Sequence, residues 1–150
     1  MSEINTKSEL WFIRLEIENW RQYNGKQSID FSTDPKKHLT VVHAENSVGK
    51  TTMLNAIKWC LYGVTPEFTN KKTLTTDRST KASCMARLRF KYGKQEYSAL
   101  RVYDQKNFTN KLTLTKVTGR DGNHSPVDNP EIVINNILPS ELSNYFLFAG

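Results

Sequence analysis

The segment His43-Ala44-Glu45-Asn46-Ser47-Val48-Gly49-Lys50-Thr51-Thr52 constrains this chain more than any other. It lies between a stretch that reads as a strand and one that reads as a helix. A loop of small residues closing on Gly-Lys-Thr at a helix start is the pattern of a phosphate-binding loop, and that strand-loop-helix setting is what the pattern requires. The amides of Ser47, Val48, Gly49, Lys50 and Thr51 are expected to converge on the β- and γ-phosphates, aided by the positive end of the helix dipole. Asn46 belongs to the same nucleotide-binding stretch. Lys50 neutralises phosphate charge, the Thr51 hydroxyl is placed to hold Mg²⁺, and Thr52 offers a further donor toward the α-phosphate. Ala44 stands where such loops usually carry Gly, and Ser47 is also not Gly, so a formed loop with weaker nucleotide binding is expected.

The flanking periodicities supply the rest of the architecture. Trp11, Ile13, Leu15 and Ile17 alternate with Phe12, Arg14, Glu16 and Glu18, which predicts a strand buried on its first set. Asn24-Gly25 is read as the turn of a hairpin whose second strand runs from Lys26 to Phe31. A third strand is expected from His38 to His43. Thr51 to Tyr62 then reads as a helix with Met53, Leu54, Ile57 and Leu61 on one face, and Gly63 stands where a left-handed cap belongs. Val64 to Ser83 has no clean period and is expected to be a long loop.

Beyond it, Ala86, Leu88, Phe90 and Tyr92 alternate with Arg87, Arg89 and Lys91. The latter put three cations on one strand face. Gly93-Lys94 turns this strand, Glu96–Asp104 and Lys111–Val117 complete an antiparallel meander, and residues 119–129 read as another turn. Asp128 and Glu131, with Pro130 between them, start a helix through Leu138, ended by Pro139. Tyr145 to Phe148 reads as a buried strand. The fold class is therefore α/β: a phosphate-loop fold with a mixed sheet around one main helix and an added antiparallel basic lobe.

Composition narrows the class. With 37% hydrophobic residues over 150 positions, one domain can bury a core without staples. The apolar runs around Ile132–Leu138 and Tyr145–Phe148 fall far short of the roughly 20 residues a bilayer span needs, and Glu3 and Glu9 spoil a secretory leader. A cytoplasmic protein with no membrane partner is expected. Cys60 and Cys84 form no CxxC and read as ordinary buried thiols. His38 and His124 have no partner at metal-ligand spacing, and His43, at a strand end, reads as packed. The net charge of +6 is uneven: residues 71–120 hold thirteen Lys and Arg against three acids, a balance of +10, which leaves −4 for the remainder. Such a block fits a polyanion-facing surface, with Arg87, Arg89 and Lys91 as DNA-contact candidates. A solvated strand face is the plainer alternative.

The order of motifs resembles a known family. Ile17-Glu18-Asn19-Trp20-Arg21, a hairpin closing at Ile29-Asp30-Phe31, the phosphate loop, Leu54-Asn55-Ala56-Ile57 and Leu61-Tyr62-Gly63 are similar to the N-terminal half of an ABC-type ATPase head of the SMC and double-strand-break-repair superfamily. Ile137-Leu138-Pro139-Ser140-Glu141-Leu142 followed by Tyr145-Phe146-Leu147-Phe148 resembles the Q-loop approach of bacterial relatives attached to DNA phosphorothioation and antiphage defence. Ala149 departs from the Asp common there.

The resemblance implies that residues 1–150 are one N-lobe that binds ATP and Mg²⁺, with the coiled coil and C-terminal lobe lying elsewhere in a longer chain. It implies a homodimer through ATP-bridged heads, DNA as partner, and a nuclease subunit. Arg21 matches an early arginine near the nucleotide phosphates or nucleic acid. Among the 150 residues there is no apolar run ending in Asp-Glu and no Leu-Ser-Gly-Gly signature, so no catalytic residue is assigned and the piece alone is expected to bind without turnover. Two alternatives stay open: a degenerate lobe that holds DNA or a partner without nucleotide, and a small phosphate-loop kinase.

Overall fold

The computed structural model describes residues 8–37, 39–42, 49–63 and 83–147. Six strands form one antiparallel sheet: β1 (Leu10–Trp20), β2 (Tyr23–Asp30), β3 (Ser83–Tyr92), β4 (Gln95–Asp104), β5 (Thr109–Thr118) and β6 (Asn123–Pro126), in the order β2-β1-β3-β4-β5-β6. Helix α1 (Lys50–Tyr62) covers one face of the sheet, and α2 (Pro130–Ile137), a 3-10 turn (Ser140–Leu142) and α3 (Ser143–Phe146) follow β6. This is the α/β class expected from the sequence, and every strand pairing among the described residues is antiparallel.

The alternation in β3 fixes the layering. Cys84, Ala86, Leu88 and Phe90 are buried on the helix side, opposite Tyr103, Arg101, Ala99 and Tyr97 of β4. Ala56, Ile57, Trp59, Cys60 and Leu61 of α1 close over them in one core with Leu15, Ile17, Leu112 and Leu114. Trp20 and Trp59 pack with ring centroids 4.6 Å apart. Both cysteines are free and buried. Cys60 donates its thiol toward the carbonyls of Ala86 and Ala99, and burial pushes both thiols up to about 12.

The helix end is built by two residues. Gly63 adopts φ 72°, as its position predicts, and its N–H donates to Trp59 O at 2.8 Å. Arg101 is 5% exposed. Its Nε donates to Cys60 O at 3.0 Å, its Nη2 to Leu61 O at 3.5 Å and its Nη1 to Asn110 Oδ1 at 3.0 Å. A buried cation thus satisfies carbonyls that the last helical turn leaves open, at the negative end of the dipole. A Cβ on Gly63 would lie 2.8 Å from Arg101 Nη1, so glycine is needed there for space as well as for φ.

Several expectations change. The hairpin turns at Arg21-Gln22, because Trp20 pairs with Tyr23; Asn24-Gly25 instead forms a bulge opposite Asn19, whose Oδ1 accepts the Gly25 N–H at 3.0 Å. A glycine at φ 74° serves a bulge as well as a turn, so the dipeptide alone does not decide. A second bulge, between Phe12 and Arg14, pairs Phe12 with Phe90 and Trp11 with Lys91, so Phe12 rather than Trp11 faces the core. Residues 39–42 form no strand: Leu39 and Val41 are 78% and 76% exposed, and no described strand runs beside them. His38 and His43, the ends of that expected strand, lie outside the described residues, as does the expected loop up to residue 82.

Residues 119–122 turn the chain, but Asn123–Pro126 adds strand β6. The cap of α2 is Asn129 at φ 50°, not Asp128, and no side chain bonds there, although Pro130 opens the helix as expected. The terminal run is helical, not a strand: Leu147 N–H donates to Ser143 O at 2.7 Å, and Tyr145 is 76% exposed. Four apolar residues are too short a run for periodicity to separate the two states. Phe148 lies outside the described residues.

Candidate functional site

Helix α1 starts at Lys50 with Gly49 as its N-cap at φ 99°, and no acidic side chain occupies its first turn. Its first N–H groups have no intrahelical partner, and with the positive end of the dipole this is the arrangement that favours an anion. Lys50 and Thr51 are exposed there, Thr52 is half-buried and Gly49 is buried. The other expected loop residues, Asn46, Ser47 and Val48, lie outside the described residues, as do Ala44 and Glu45.

The hairpin tip closes against this turn. The Tyr23 hydroxyl donates to Gly49 O at 3.0 Å, and Trp20 Nε1 donates to Thr52 O at 3.3 Å. Arg21, half-buried at φ 53°, stands between these two anchors. The structure therefore brings Arg21 to the same end of the helix as Gly49, Lys50, Thr51 and Thr52. Neither Trp20 nor Tyr23 was singled out from the sequence for this role; only the closeness of both to Arg21 hinted at it. Burial raises the Tyr23 phenol above its ordinary value, so it stays protonated and able to donate.

The chemistry of the donor set fits a nucleotide phosphate chain. The site offers backbone amides without a Cβ at Gly49, a lysine, a threonine hydroxyl and an arginine nearby. Among the described residues no group of three His, Cys, Asp or Glu could hold a metal ion alone. Mg²⁺ at Thr51 would take its other ligands from phosphate oxygens and from groups elsewhere.

The opposite sheet face carries the three expected DNA contacts, all on β3, but in company. Arg87 Nη1 pairs with Glu16 Oε2 at 3.1 Å, Arg89 pairs closely with Glu96, and Arg14 Nη1 pairs with Asp30 Oδ1 at 3.1 Å. For Lys91 no ion-pair partner occurs among the described residues. These pairs border an open groove of about 580 Å³ lined by Arg14, Glu16, Arg87, Arg89, Leu100 and His124, among others. The His124 Nδ1 lies 3.0 Å from Thr115 Oγ1, a hydrogen bond rather than a metal site. The groove wall is thus a ladder of alternating charge, with the carboxylates supplied by β1, β2 and β4. Part of the basic block lies elsewhere, since Arg101 is buried under α1.

Comparison with known proteins places the fold. A family model described as an AAA domain matches residues 14–147. The recombination mediator protein RecF, solved with ATP, has a TM-score of 0.58 at 14% identity, over 83% of this chain. The match spans 30% of the RecF chain, so this chain corresponds to about a third of that protein. A structure from work on ATP-driven dimerization and DNA stimulated activation of SMC ATPases has a TM-score of 0.60 at 16% identity, covering 88% of this chain and 80% of that one. The fold is thus shared with these structures, and the family match over residues 14–147 makes the chain a member of the AAA domain family.

Proposed function

We propose that this chain is the ATP- and Mg²⁺-binding N-lobe of an SMC-like ATPase that acts on DNA in repair or antiphage defence. The observation that supports the reading is the hairpin tip bonded to the first turn of α1 through Trp20 and Tyr23, the two residues that flank the Arg21-Gln22 turn. In this reading the amides of residues 47–51 bind phosphate oxygens, Lys50 and Arg21 neutralise them, and Thr51 holds Mg²⁺. Bound Mg²⁺ supplies charge neutralisation between the phosphates. The chain itself binds and orients; among the described residues no carboxylate lies in the first turn of α1 to activate water.

Hydrolysis in this reading belongs to a longer chain, whose C-terminal lobe brings an acidic Walker B strand and a signature motif, and to a homodimer of heads bridged by ATP. Kinship with phosphorothioation-linked and antiphage relatives, a nuclease partner and a cytoplasmic location are parts of the same proposal, supported by the motif order from Ile137 to Phe148. Arg87, Arg89 and Lys91 are the proposed contacts to DNA phosphates, read without sequence preference.

Titration of the chain with a fluorescent ATP analogue and Mg²⁺ tests the reading. Saturable binding that Lys50→Ala abolishes is the expected result. DNA binding in the absence of any nucleotide affinity would overturn it in favour of a binding module that has dispensed with nucleotide.

A further inference from the structure

Nucleotide binding by the phosphate loop leaves the construction of the hairpin end unaccounted for. Asn19 and Arg21 hold φ 51° and 53° within three positions, a conformation that costs a residue other than glycine and persists only where its surroundings enforce it. Asn19 is held by its bulge with Gly25, and the rest of the tip by α1. Tyr23 OH and Trp20 Nε1 donate to Gly49 O and Thr52 O, so the strained tip is tied at both ends to one helical turn.

The bond at Gly49 has a directional consequence. The Gly49 carbonyl also accepts the Met53 N–H at 2.9 Å, the first bond of the helix. It therefore has two donors, one from the helix and one from the hairpin. In a planar trans peptide the C=O and the following N–H point in opposite directions. A hydroxyl that fixes Gly49 C=O thereby fixes the Lys50 N–H facing the other way, into the anion end of the helix. The fit is close, because a Cβ at Gly49 would collide with Tyr23 Oη and lie 2.9 Å from its Cζ.

We infer that Tyr23 is a positioning residue of the nucleotide site: its hydroxyl orients the Gly49–Lys50 peptide toward the phosphates and holds Arg21 across the same cradle. The inference rests on the nucleotide reading. It would make the hairpin and the phosphate loop one preorganised unit, so that little ordering remains to be done when phosphate arrives.

The test measures binding of a fluorescent ATP analogue with Mg²⁺ to the wild-type chain, Lys50→Ala, Tyr23→Phe, Arg21→Ala and the Tyr23→Phe/Arg21→Ala double variant, with melting temperatures alongside. Tyr23→Phe keeps the ring and removes only the donor. The expected result is a loss of about tenfold in affinity, with the double variant losing less than the product of the two single losses, since both act on one unit. Where Tyr23→Phe lowers the melting temperature, the ¹⁵N–¹H resonance of Lys50 in the ligand-free chain decides, and it should shift. An unchanged affinity, independent losses or an unmoved Lys50 resonance would each overturn the role of Tyr23 while leaving the nucleotide reading intact. A wild-type chain with no saturable binding that Lys50→Ala removes would sink both.

Discussion

Replacing Arg101 with Met should destabilise the chain through the end of α1, and the structure allows the size to be worked out. The guanidinium is 5% exposed and makes two bonds near 3.0 Å, to Cys60 O and Asn110 Oδ1, with a weaker one of 3.5 Å to Leu61 O. Methionine follows the same apolar path but donates nothing, leaving buried acceptors at the helix end without a donor. Each costs about 1–3 kcal/mol, and loss of a cation at the dipole's negative end adds up to about 2 kcal/mol. Opposing this, the variant no longer buries a charge, a relief of several kcal/mol in comparable sites. With the buried Cys60 and Leu61 carbonyls and the dipole on one side and that relief on the other, we expect a net loss of about 2–3 kcal/mol, the exposed Asn110 amide being free to bond water instead. For a domain of this size that is roughly 4–12 °C in melting temperature. Arg101→Lys keeps the charge but not the fork, and should fall between the two. Thermal unfolding followed by near-ultraviolet circular dichroism, which reports the Trp20–Trp59 pair, provides the measurement. An Arg101→Met chain as stable as wild type, or more so, would show that burying the cation costs more than its bonds return.

Gly49→Ala should lose about 2–4 kcal/mol in urea denaturation, because φ 99° and the Tyr23 hydroxyl both oppose a Cβ; wild-type stability would mean the hairpin does not press on the loop. Cys60 and Cys84, with thiols pushed up to about 12, should resist iodoacetamide at pH 8 in the native chain and react once unfolded in urea. Labelling of either at a free-thiol rate without denaturant would contradict their burial. The carboxyl of Asp104 is held below its ordinary value, first by the Asn107 side chain and then by the Lys106 backbone N–H. Its folded pKa being the lower one, its contribution is present above the ordinary value of 3.8 and disappears as pH falls through the folded pKa; an NMR titration midpoint at or above 3.8 would refute this. Glu16→Gln removes the partner of Arg87 and one partner of Arg14. Under the proposed DNA role it should tighten binding and steepen its salt dependence, whereas unchanged binding would take the groove out of the DNA path.

Much of this architecture could be read along the chain. The alternation of Ala86, Leu88 and Phe90 marked β3, the spacing of Ile57 and Leu61 marked the buried face of α1, and Gly63 marked its end. Each of these is local: backbone geometry repeats every two residues in a strand and every 3.6 in a helix, so burial on one side writes itself into neighbouring positions. Lys50 and Thr51 at the start of α1 were legible for the same reason, since the loop motif and the helix it opens are adjacent in sequence.

What remained hidden depends on partners far along the chain. The bulges at Ile13 and Asn19 exist because registers with β3 and β2 must reconcile, and they decide that Phe12 rather than Trp11 reaches the core. The terminal apolar run is helical up to Phe146, and no described strand pairs beside it. The basic block appeared as a uniform surface, yet folding set Glu16 against Arg87 across 71 positions and drew Arg101 under the helix. Composition alone determined that this chain would be basic and core-forming, and its motif determined where an anion would be sought. Only the tertiary structure decided which cations stay at the surface, which are paired, and that a tyrosine 26 positions upstream meets the phosphate loop, because such contacts are chosen by the packing of whole elements and leave no mark on the residues beside them.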